Sequence, residues 1–333
     1  MTSASAHTVG VGIIGLGFMG RTHLASYVRT AGCEVRALLD PAQRAAPAGN
    51  LITTGDDVDR LIASLARMPD LAALLARDDI HLISICTPTD THVSLVRAAI
   101  AAGKHVLVEK PTALDAREID TLDREARAAG VRAMPAHCMR FWPAWAWMAD
   151  AVRTRRFGAV RRAHFRRLGA APGWSQDFYL DFKRSGGAIV DLHMHDADFV
   201  RFVFGEPSSV EATGSRRHVR TRYGFADNVI VEAEGGWMED PSFAFTMTAE
   251  VVCERATIEF DLSRSPELRV VSSADGVVTE LVAGRDYPAG NGYDHEIAAL
   301  VAAIRDGRPT PVTLADAAAT QRLLDREIAA ISA

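Results

Sequence analysis

The chain has 333 residues, of which 48% are hydrophobic and 24% are charged, and its formal net charge at pH 7 is −5. Such a chain can fill two domains with apolar cores, and this composition excludes a disordered protein. The negative balance also argues against nucleic acid or an anionic membrane surface as a partner.

The sequence lacks the patterns of a membrane or secreted protein. Its first long apolar stretch, residues 9–20, is too short and too rich in glycine to span a bilayer, and no basic region with an apolar signal core precedes it. The four cysteines, at positions 33, 86, 138 and 253, do not have the spacing of metal ligands, which favours reduced thiols. We therefore predict a cytoplasmic protein without a membrane partner or a metal.

The first motif is a glycine-rich turn between a strand and a helix. Residues 9–14 have the apolar character of a buried strand, and the chain continues as Gly15-Leu-Gly17-Phe18-Met19-Gly20 into a helical stretch. In such a G-x-G-x-x-G loop the first glycine permits the tight turn, the second admits a pyrophosphate to the backbone, and the third lets the helix pack on the strand. Phe18 and Met19 open the helix, whose first N–H groups bind phosphate. The motif predicts a dinucleotide site.

The cofactor prediction depends on the end of the next strand. Residues 34–39 form a predicted strand that ends at Asp40, about 25 residues after Gly15. A carboxylate at this position accepts both ribose hydroxyls of NAD and repels the 2′-phosphate of NADP. NAD is therefore the predicted cofactor. Arg44 is close enough in sequence to bind a 2′-phosphate, which leaves NADP open.

The rest of the first half alternates strands and helices. Residues 41–79 carry two helical patterns with poorly defined ends, clearest over 61–65 and 71–75. Further buried strands are predicted at 80–86, 105–108 and 131–136, with helices at 90–102 and 115–129. The alternation predicts an α/β fold, a doubly wound parallel sheet of six strands, five of which are located above, that forms an NAD(P)-binding Rossmann domain over residues 1–136.

A charged pair follows the buried strand at 105–108. Glu109 and Lys110 lie at its carboxyl end, where parallel sheets carry function, and Pro111 stops the strand from continuing. An ammonium group there can donate a hydrogen bond, orient an oxygen and, with a lowered pKa, transfer a proton. The alternative is a structural Glu–Lys ion pair that caps the strand.

Beyond residue 136 short strands succeed one another. A helix is predicted at 144–155 and strands at 160–168, 210–213, 228–234, 243–252, 256–260 and 268–272, with a hairpin and loop over 272–292. This pattern predicts an α+β domain over residues 137–333 with an open, mainly antiparallel sheet. Two helices follow, at 294–305 and from a capping box of Thr313 and Asp316 to about residue 331, and are expected to pack back onto the domains.

An acidic and histidine-rich helix is predicted from Ser185 to Phe204. Asp191 and His195 are four residues apart, so a continuous helix places both on one face, within reach of one ligand. Two alternatives were weighed for this pair. One is a zinc site completed by His137 or His164, although no third ligand has recognisable spacing. The other is a structural role in a helix that is merely acidic.

Taken together, these motifs resemble the Gfo/Idh/MocA family of oxidoreductases. The residues that carry the resemblance are Gly15–Gly20 with His23, Ile85-Cys86-Thr87-Pro88 with His92, Glu109-Lys110-Pro111, and Gly186-Gly187 followed by Asp191 and His195-Asp196. The resemblance implies the same two domains and a homo-oligomer, a dimer or tetramer, formed through one face of the open sheet.

The resemblance also implies roles for single residues. Lys110 is expected beside the nicotinamide and the substrate, and Thr87 and Pro88 line the cofactor cleft. Asp191 and His195 complete the catalytic group. His92 and Glu109 are placed on the cofactor side, and His23 and His92 are expected to be structural or cofactor-side groups rather than acids or bases. Where this chain has His193, the family commonly has glycine or another small residue, so this side chain is expected to crowd the pocket or face solvent.

Substrate-binding residues are sought between 137 and 183, which hold four of the five tryptophans. Flat aromatic rings suit the C–H faces of sugars and cyclitols, and a few polar groups bond their hydroxyls. The candidates are Arg140, Trp142, His164, Trp174 and Lys183. For the tryptophans, the alternative to substrate binding is packing in the core. Core packing is preferred for Trp145 and Trp147, and both interpretations stay open for Trp142 and Trp174.

The predicted function is the reversible oxidation of a secondary alcohol on a sugar, sugar acid or cyclitol, with hydride transfer to the nicotinamide. His195 is the predicted general base, Asp191 orients it, and Lys110 bonds the reacting oxygen and holds developing negative charge. Two alternatives remain at this stage. One is an enzyme of the same scaffold that uses bound NAD transiently to cleave glycosidic bonds, and the other is a non-catalytic NAD-binding regulator.

Overall fold

The computed structural model describes residues 8–40, 56–173, 176–226 and 228–332. These residues divide into two structural units. The first consists of the described residues within 1–137 and 293–318, and the second of those within 138–292 and 319–333. Arg44 and Trp174, two residues singled out in the sequence, lie outside the described residues.

The first unit begins with alternating strands and helices, as predicted. Its elements up to residue 137 are β1 (Val9–Ile14), α1 (Phe18–Arg29), β2 (Cys33–Leu39), α2 (Asp56–Ser64), β3 (Ala66–Arg67), α3 (Leu71–Leu75), β4 (Leu82–Ile85), α4 (His92–Ala101), β5 (His105–Val108), α5 (Ala116–Ala128) and β6 (Ala133–Pro135). The predicted α/β class of this half of the chain is confirmed.

The strands of this unit form one parallel sheet. Within the described residues it has six strands in the order β3-β2-β1-β4-β5-β6. That order is typical of doubly wound dinucleotide-binding domains. The strand that the sequence did not locate is β3, which is only two residues long and exposed at the sheet edge. Because it buries no apolar side chain, its residues carry no strand pattern, and the sequence of this stretch predicts only helices.

The second unit contains a larger sheet with helices on one face. Its elements are α6 (Pro143–Arg153), β7 (Val160–Ala170), α7 (Gln176–Tyr179), α8 (Phe182–Ser185), α9 (Ala188–Asp191), α10 (Met194–Phe204), β8 (Ser209–Gly214), β9 (His218–Gly224), β10 (Ile230–Met238), β11 (Thr246–Cys253), β12 (Ala256–Asp261), β13 (Leu268–Ser272) and β14 (Val278–Leu281). Two further helices end the chain, α11 (Gly292–Arg305) and α12 (Leu314–Ile331).

The sheet of the second unit is open and mainly antiparallel, as predicted. In the described part of the chain its eight strands follow the order β14-β13-β12-β11-β7-β10-β9-β8, and only β7 and β10 pair in parallel. The sequence analysis missed β9 as a strand. Its arginines alternate with the buried residues Val219, Thr221 and Tyr223, which is the period of a half-buried strand.

The two faces of this sheet have different environments. Phe165 of β7 packs on Trp145 of α6 and on Phe199 of α10, so its face carries the helices. The other face is lined with charged side chains, for example Arg162 paired with Glu250 at 3.0 Å. Trp145 is fully buried, which confirms its predicted packing role.

Local signals define several helix ends correctly. At the start of α12, Thr313 Oγ1 donates to Asp316 Oδ2 at 2.7 Å and Asp316 N donates to Thr313 Oγ1 at 3.1 Å, so the predicted capping box forms. Gly205, with φ +87, ends α10 in a backbone conformation that favours glycine. None of the four cysteines, all of them described, forms a disulfide, and Cys138 and Cys253 are buried.

No helix among the described residues is both long enough and apolar enough to cross a membrane.

Candidate active site

The glycine-rich loop between β1 and α1 has the contacts that its motif predicts. Gly15 has φ +88, and a Cβ there would lie 2.7 Å from the carbonyl oxygen of Cys86. A Cβ on Gly20 would overlap the carbonyl oxygen of Gly15 and lie 2.9 Å from its carbonyl carbon. These two glycines let helix and strand approach each other. Gly17 differs, because a Cβ there would meet no atom within 4 Å.

Gly17 also opens the first turn of α1 to a ligand. It is the N-cap residue of the helix and supplies no side-chain hydrogen bond to the first N–H groups. Phe18 and Met19, the next two residues, are half-buried in the first turn. An exposed glycine before a helix amino terminus fits the pyrophosphate of a dinucleotide, since the backbone donors and the positive end of the helix dipole both face it. The residues present therefore fit NAD at this loop.

Neighbouring strands bring the other predicted cofactor residues to the same edge of the sheet. The last residue of β1, Ile14, pairs with Leu39 of β2 and with Ile85 of β4, and Ile85 pairs with Val108 of β5. Because the strands are parallel and in register, the segments that follow them leave the sheet at one edge. Those segments begin with Gly15, Asp40, Cys86-Thr87-Pro88 and Glu109-Lys110.

His92 ties two of these segments together. Its Nδ1 lies 2.8 Å from the carbonyl oxygen of Pro111, and its Nε2 lies 2.8 Å from the carbonyl oxygen of Thr87. Burial lowers the pKa of His92, although the two carbonyl oxygens act in the opposite direction. A neutral ring donates to one of the two oxygens at a time. His92 is 1% exposed, so the structure gives it the structural role that the sequence analysis allowed.

Glu109 lies beneath Lys110 in a buried pair with His23. Glu109 Oε1 is 3.0 Å from His23 Nε2, and Glu109 Oε2 accepts the backbone N–H of Lys110 at 3.1 Å. His23 Nδ1 lies 2.8 Å from Ser84 Oγ. Glu109 is only 6% exposed and both of its oxygens are engaged by protein atoms, so the structure shows it supporting His23 and the backbone of Lys110. Its expected place on the cofactor side stays a prediction.

The charges of this pair follow from its geometry. Burial by itself would lower the pKa of His23, but Cys86 and Glu109 outweigh it, so the pKa is raised well above 6.5. Burial would raise the pKa of Glu109, but the hydrogen bond and charge of His23 outweigh it, so the pKa is lowered below 4.5. Both pKa directions favour the charged forms, an imidazolium beside a carboxylate. Lys110 is half-buried at the strand end and partly open to solvent.

In the second unit, Asp191 and His195 do not share one continuous helix. The helix predicted from Ser185 to Phe204 is broken at residues 192–193, so that Asp191 ends α9 and His195 lies in the first turn of α10. At the break, His193 N donates to Ala188 O at 2.9 Å and His195 N to Leu192 O at 3.3 Å. These i−5 and i−3 bonds replace the i−4 ladder, and a local departure of this kind is frequent at functional sites.

Both candidate side chains are accessible to a substrate. Asp191 and His195 are half-buried, whereas His193, Met194 and Asp196 between and after them are buried. Gly186 and Gly187 have φ +76 and +80 just before α9, which explains the double glycine of the motif. The structure thus presents a partly exposed acid and a partly exposed imidazole on one segment whose intervening residues are mostly buried.

His193 does not face solvent. Its side chain is fully buried, with Nε2 2.9 Å from Glu327 Oε2 and 3.2 Å from the Tyr223 hydroxyl. It packs towards α12 and β9, so the expectation that it is exposed to solvent is wrong. Burial by itself would lower the pKa of His193, but Glu327 outweighs it and the pKa is raised.

Two of the proposed substrate residues have other surroundings. Arg140 forms a bidentate ion pair with Asp198, with Nε–Oδ2 and Nη2–Oδ1 distances of 2.8 and 2.6 Å, and the Arg140 side chain is 6% exposed. This pair corrects the prediction, because it gives Arg140 a structural role. His164 lies between Ala163 and Phe165, which face the helices, so it lies on the opposite face of the sheet from Asp191 and His195. The expectation that His164 contributes to their site is therefore also corrected.

The remaining substrate candidates stay predictions. Trp142 is 8% exposed at the N-cap of α6, where its backbone and ring lie close to Gly292. Lys183 is exposed in α8. Trp174 lies outside the described residues. Within the described ranges, no three His, Cys, Asp or Glu side chains are grouped as metal ligands.

Sequence reasoning missed two sets of contacts. It did not find the pairing of His23 with Glu109 or that of His193 with Glu327 and Tyr223. A histidine on an apolar helix face, as at position 23, is a signal that a buried polar partner is needed. The partner itself, 86 residues away, has no local signature.

Two family profiles match this chain, one in each structural unit. Residues 9–137 match the family profile described as “Oxidoreductase family, NAD-binding Rossmann fold”, and residues 145–259 match the “GFO/IDH/MocA C-terminal domain”. Inositol 2-dehydrogenase of Rhizobium meliloti (strain 1021) is 32% identical over 211 residues, which are 62% of this chain and only 59% of that relative. The scyllo-inositol 2-dehydrogenase (NAD(+)) of Bacillus subtilis (strain 168) is 25% identical over 334 residues, covering 93% of this chain and 90% of the relative.

Solved structures share the fold over nearly the whole chain. Levoglucosan dehydrogenase, in complex with NADH and levoglucosan, has a TM-score of 0.84 and 22% sequence identity over 98% of both chains. At this identity the likeness concerns the fold, and the chemistry has to be argued from the residues.

Proposed function

The chain belongs to the Gfo/Idh/MocA family of oxidoreductases, and from this premise we propose that it transfers a hydride between a secondary alcohol of a sugar, sugar acid or cyclitol and NAD. One observation carries the proposal. The open backbone at Gly17 and the half-buried Lys110 lie at one edge of the parallel sheet, so a dinucleotide bound at the loop has an ammonium group close to its path.

The residues of this chain bind, orient and move a proton in the proposed reaction. When bound, the nicotinamide accepts or returns the hydride. His195 takes the hydroxyl proton, because imidazole is the side chain best suited to exchanging a proton near neutral pH. Asp191 orients the imidazole and stabilises its charged form. Lys110 donates a hydrogen bond to the reacting oxygen and stabilises the negative charge that develops on it.

NAD is the proposed cofactor, with NADP the alternative. Asp40 follows β2 at the same sheet edge as the glycine loop, as the ribose-binding carboxylate of such domains does. Its charge would repel a 2′-phosphate. The substrate class is supported by the names of the relatives, which act on inositols and on an anhydrosugar.

We further propose a cytoplasmic homo-oligomer, a dimer or tetramer. Support for the location comes from four free cysteines, since thiols persist in reducing compartments. Support for self-association comes from the outer face of the eight-stranded sheet, where Arg162 pairs with Glu250 and Arg166 with Glu234 on the side opposite the helix that Phe165 contacts.

The proposal is tested by following NADH absorbance with a panel of inositols, aldoses and sugar acids, each with NAD and with NADP. Net NADH production with at least one polyol is expected. Lys110→Ala should lower kcat for that polyol by about 100-fold or more while NADH affinity stays within about threefold, because the lysine acts mainly on the developing charge. Near-normal turnover by Lys110→Ala would refute the assignment.

Lys104→Ala is the matched control. Lys104 precedes β5 at the opposite end from Lys110, and its Nζ donates to the carbonyl oxygens of Arg77 and Ile80, both at 2.9 Å. Its loss should lower thermal stability and leave kcat unchanged. A loss of turnover in both variants would show that the fold, and not the chemistry, was perturbed.

A further inference from the structure

The segment that carries Asp191 and His195 has no continuous helical ladder to hold it. In an unbroken helix His195 N would donate to Asp191 O, but here it donates to Leu192 O at 3.3 Å. Leu192 N and His193 N both donate to Ala188 O, at 2.8 and 2.9 Å. The relative orientation of the two candidate catalytic side chains must therefore be set by something other than helix geometry.

The side chain at the break is anchored in the protein interior. His193 Nε2 lies 2.9 Å from Glu327 Oε2 of α12, and Tyr223 of β9 donates its hydroxyl to Glu327 Oε1 at 2.7 Å. The three residues His193, Tyr223 and Glu327 are each fully buried. Burying three polar groups is unfavourable unless they contact one another, so these contacts favour the observed position of His193.

Space for the imidazole is created by a glycine on the facing strand. A Cβ on Gly235 of β10 would lie 2.5 Å from the Cβ of His193 and 2.7 Å from its Nδ1. Any other residue at position 235 would push the imidazole out of the cluster. The imidazole of His193 therefore occupies space that is available because Gly235 has no side chain.

The charges around the imidazole come from several elements. Besides Glu327 and Tyr223, Asp196 of α10 and Arg167 of β7 lie near enough to affect it electrostatically. Arg167 binds Asp196 through two bonds of 3.0 Å, so these two groups form a second buried anchor one turn after His193. The break itself and the turn that follows it are therefore held by buried polar contacts.

We propose that His193 is a positioning residue, which together with Glu327, Tyr223 and Gly235 locks the α9–α10 break and so orients Asp191 and His195 for proton transfer. The catalytic part of this inference rests on the proposed function. The inference that these residues hold the α9–α10 segment in place does not rest on the proposed function. This chain uses a buried imidazole where the resemblance leads one to expect a small residue.

The test compares Tyr223→Phe and Glu327→Gln with the matched control Tyr287→Phe. Tyr287 is also a buried tyrosine, 6% exposed, whose hydroxyl donates to Glu267 Oε1 at 3.4 Å beside β13, several strands away from β9 in the sheet. Amide hydrogen exchange of peptides covering residues 188–200 is measured on the full chain by mass spectrometry. We expect exchange about tenfold faster in both anchor variants, and wild-type exchange in the control.

Kinetics supply the second measurement. With the best polyol from the panel, both anchor variants should lose about tenfold in kcat and show a displaced pH profile, while NADH affinity remains that of the wild type. Wild-type exchange over residues 188–200, or wild-type kcat and pH profile despite faster exchange, would overturn the proposal. If the wild-type chain oxidises no polyol but the exchange difference is present, the proposed function fails and the anchor stands.

Discussion

The glycine loop gives the sharpest prediction, because two of its glycines differ in what surrounds them. Replacing Gly17 by alanine places a methyl group in open space, with no atom within 4 Å and a φ of −66 that alanine adopts freely. The free energy of unfolding should therefore change by no more than about 0.5 kcal/mol. NADH binding should weaken by about 10- to 100-fold, because a charge-assisted hydrogen bond to phosphate contributes about 1.5–3 kcal/mol.

Gly20→Ala should behave differently. Its methyl group would overlap the carbonyl oxygen of Gly15, so the loop or the helix must move. Overpacking of this kind costs about 1–3 kcal/mol, so the melting temperature should fall by several degrees and NADH should bind more weakly. Differential scanning fluorimetry and NADH fluorescence titration on the same samples separate the two effects.

Gly130→Ala is the control for stability alone. Gly130 has φ +68 and lies between α5 and β6, at the edge of the sheet opposite the glycine loop. Alanine there is strained and should lower the melting temperature without changing NADH affinity. If Gly17→Ala binds NADH as tightly as the wild type, the assignment of the open space to the cofactor is refuted.

Three further predictions concern charged groups. Glu109→Gln should reduce the free energy of unfolding most between about pH 4.5 and 6.5. The pKa of Glu109 is lowered and that of His23 is raised, so the stabilisation by the pair is lost in acid as Glu109 protonates and in alkali as His23 deprotonates. Denaturant unfolding across pH measures this loss, and a difference that does not depend on pH would contradict the ion pair. Arg140→Ala should cost about 3–5 kcal/mol, since it removes the guanidinium charge from the buried Asp198 carboxylate, which keeps a neutral donor in Thr320 Oγ1. A cost below about 1 kcal/mol in urea unfolding would contradict this. Asp40→Ala should raise the ratio of kcat/KM for NADP over NAD by about tenfold, and an unchanged ratio would remove Asp40 from cofactor selection.

Much of the fold and half of the candidate site follow from the sequence because their signals are local. The apolar run of β1, the glycine spacing that follows it and the Glu-Lys-Pro at the end of β5 each lie within a few residues of chain. Parallel strand order then brings their ends to one edge of the sheet. The capping box at Thr313 and the stop of α10 at Gly205 are local in the same sense, and both form as predicted.

Tertiary structure alone decided which buried polar groups meet. Glu109 is followed by a lysine in the sequence, yet its Oε1 contacts His23, which lies 86 residues away. The break at residues 192–193 is likewise invisible in the sequence, because a helical period continues through it and the partner Glu327 belongs to the last helix. Burial of a polar side chain requires a partner but does not specify where along the chain that partner lies. Sequence periodicity determines the elements, whereas the pairing of their polar side chains depends on how those elements pack.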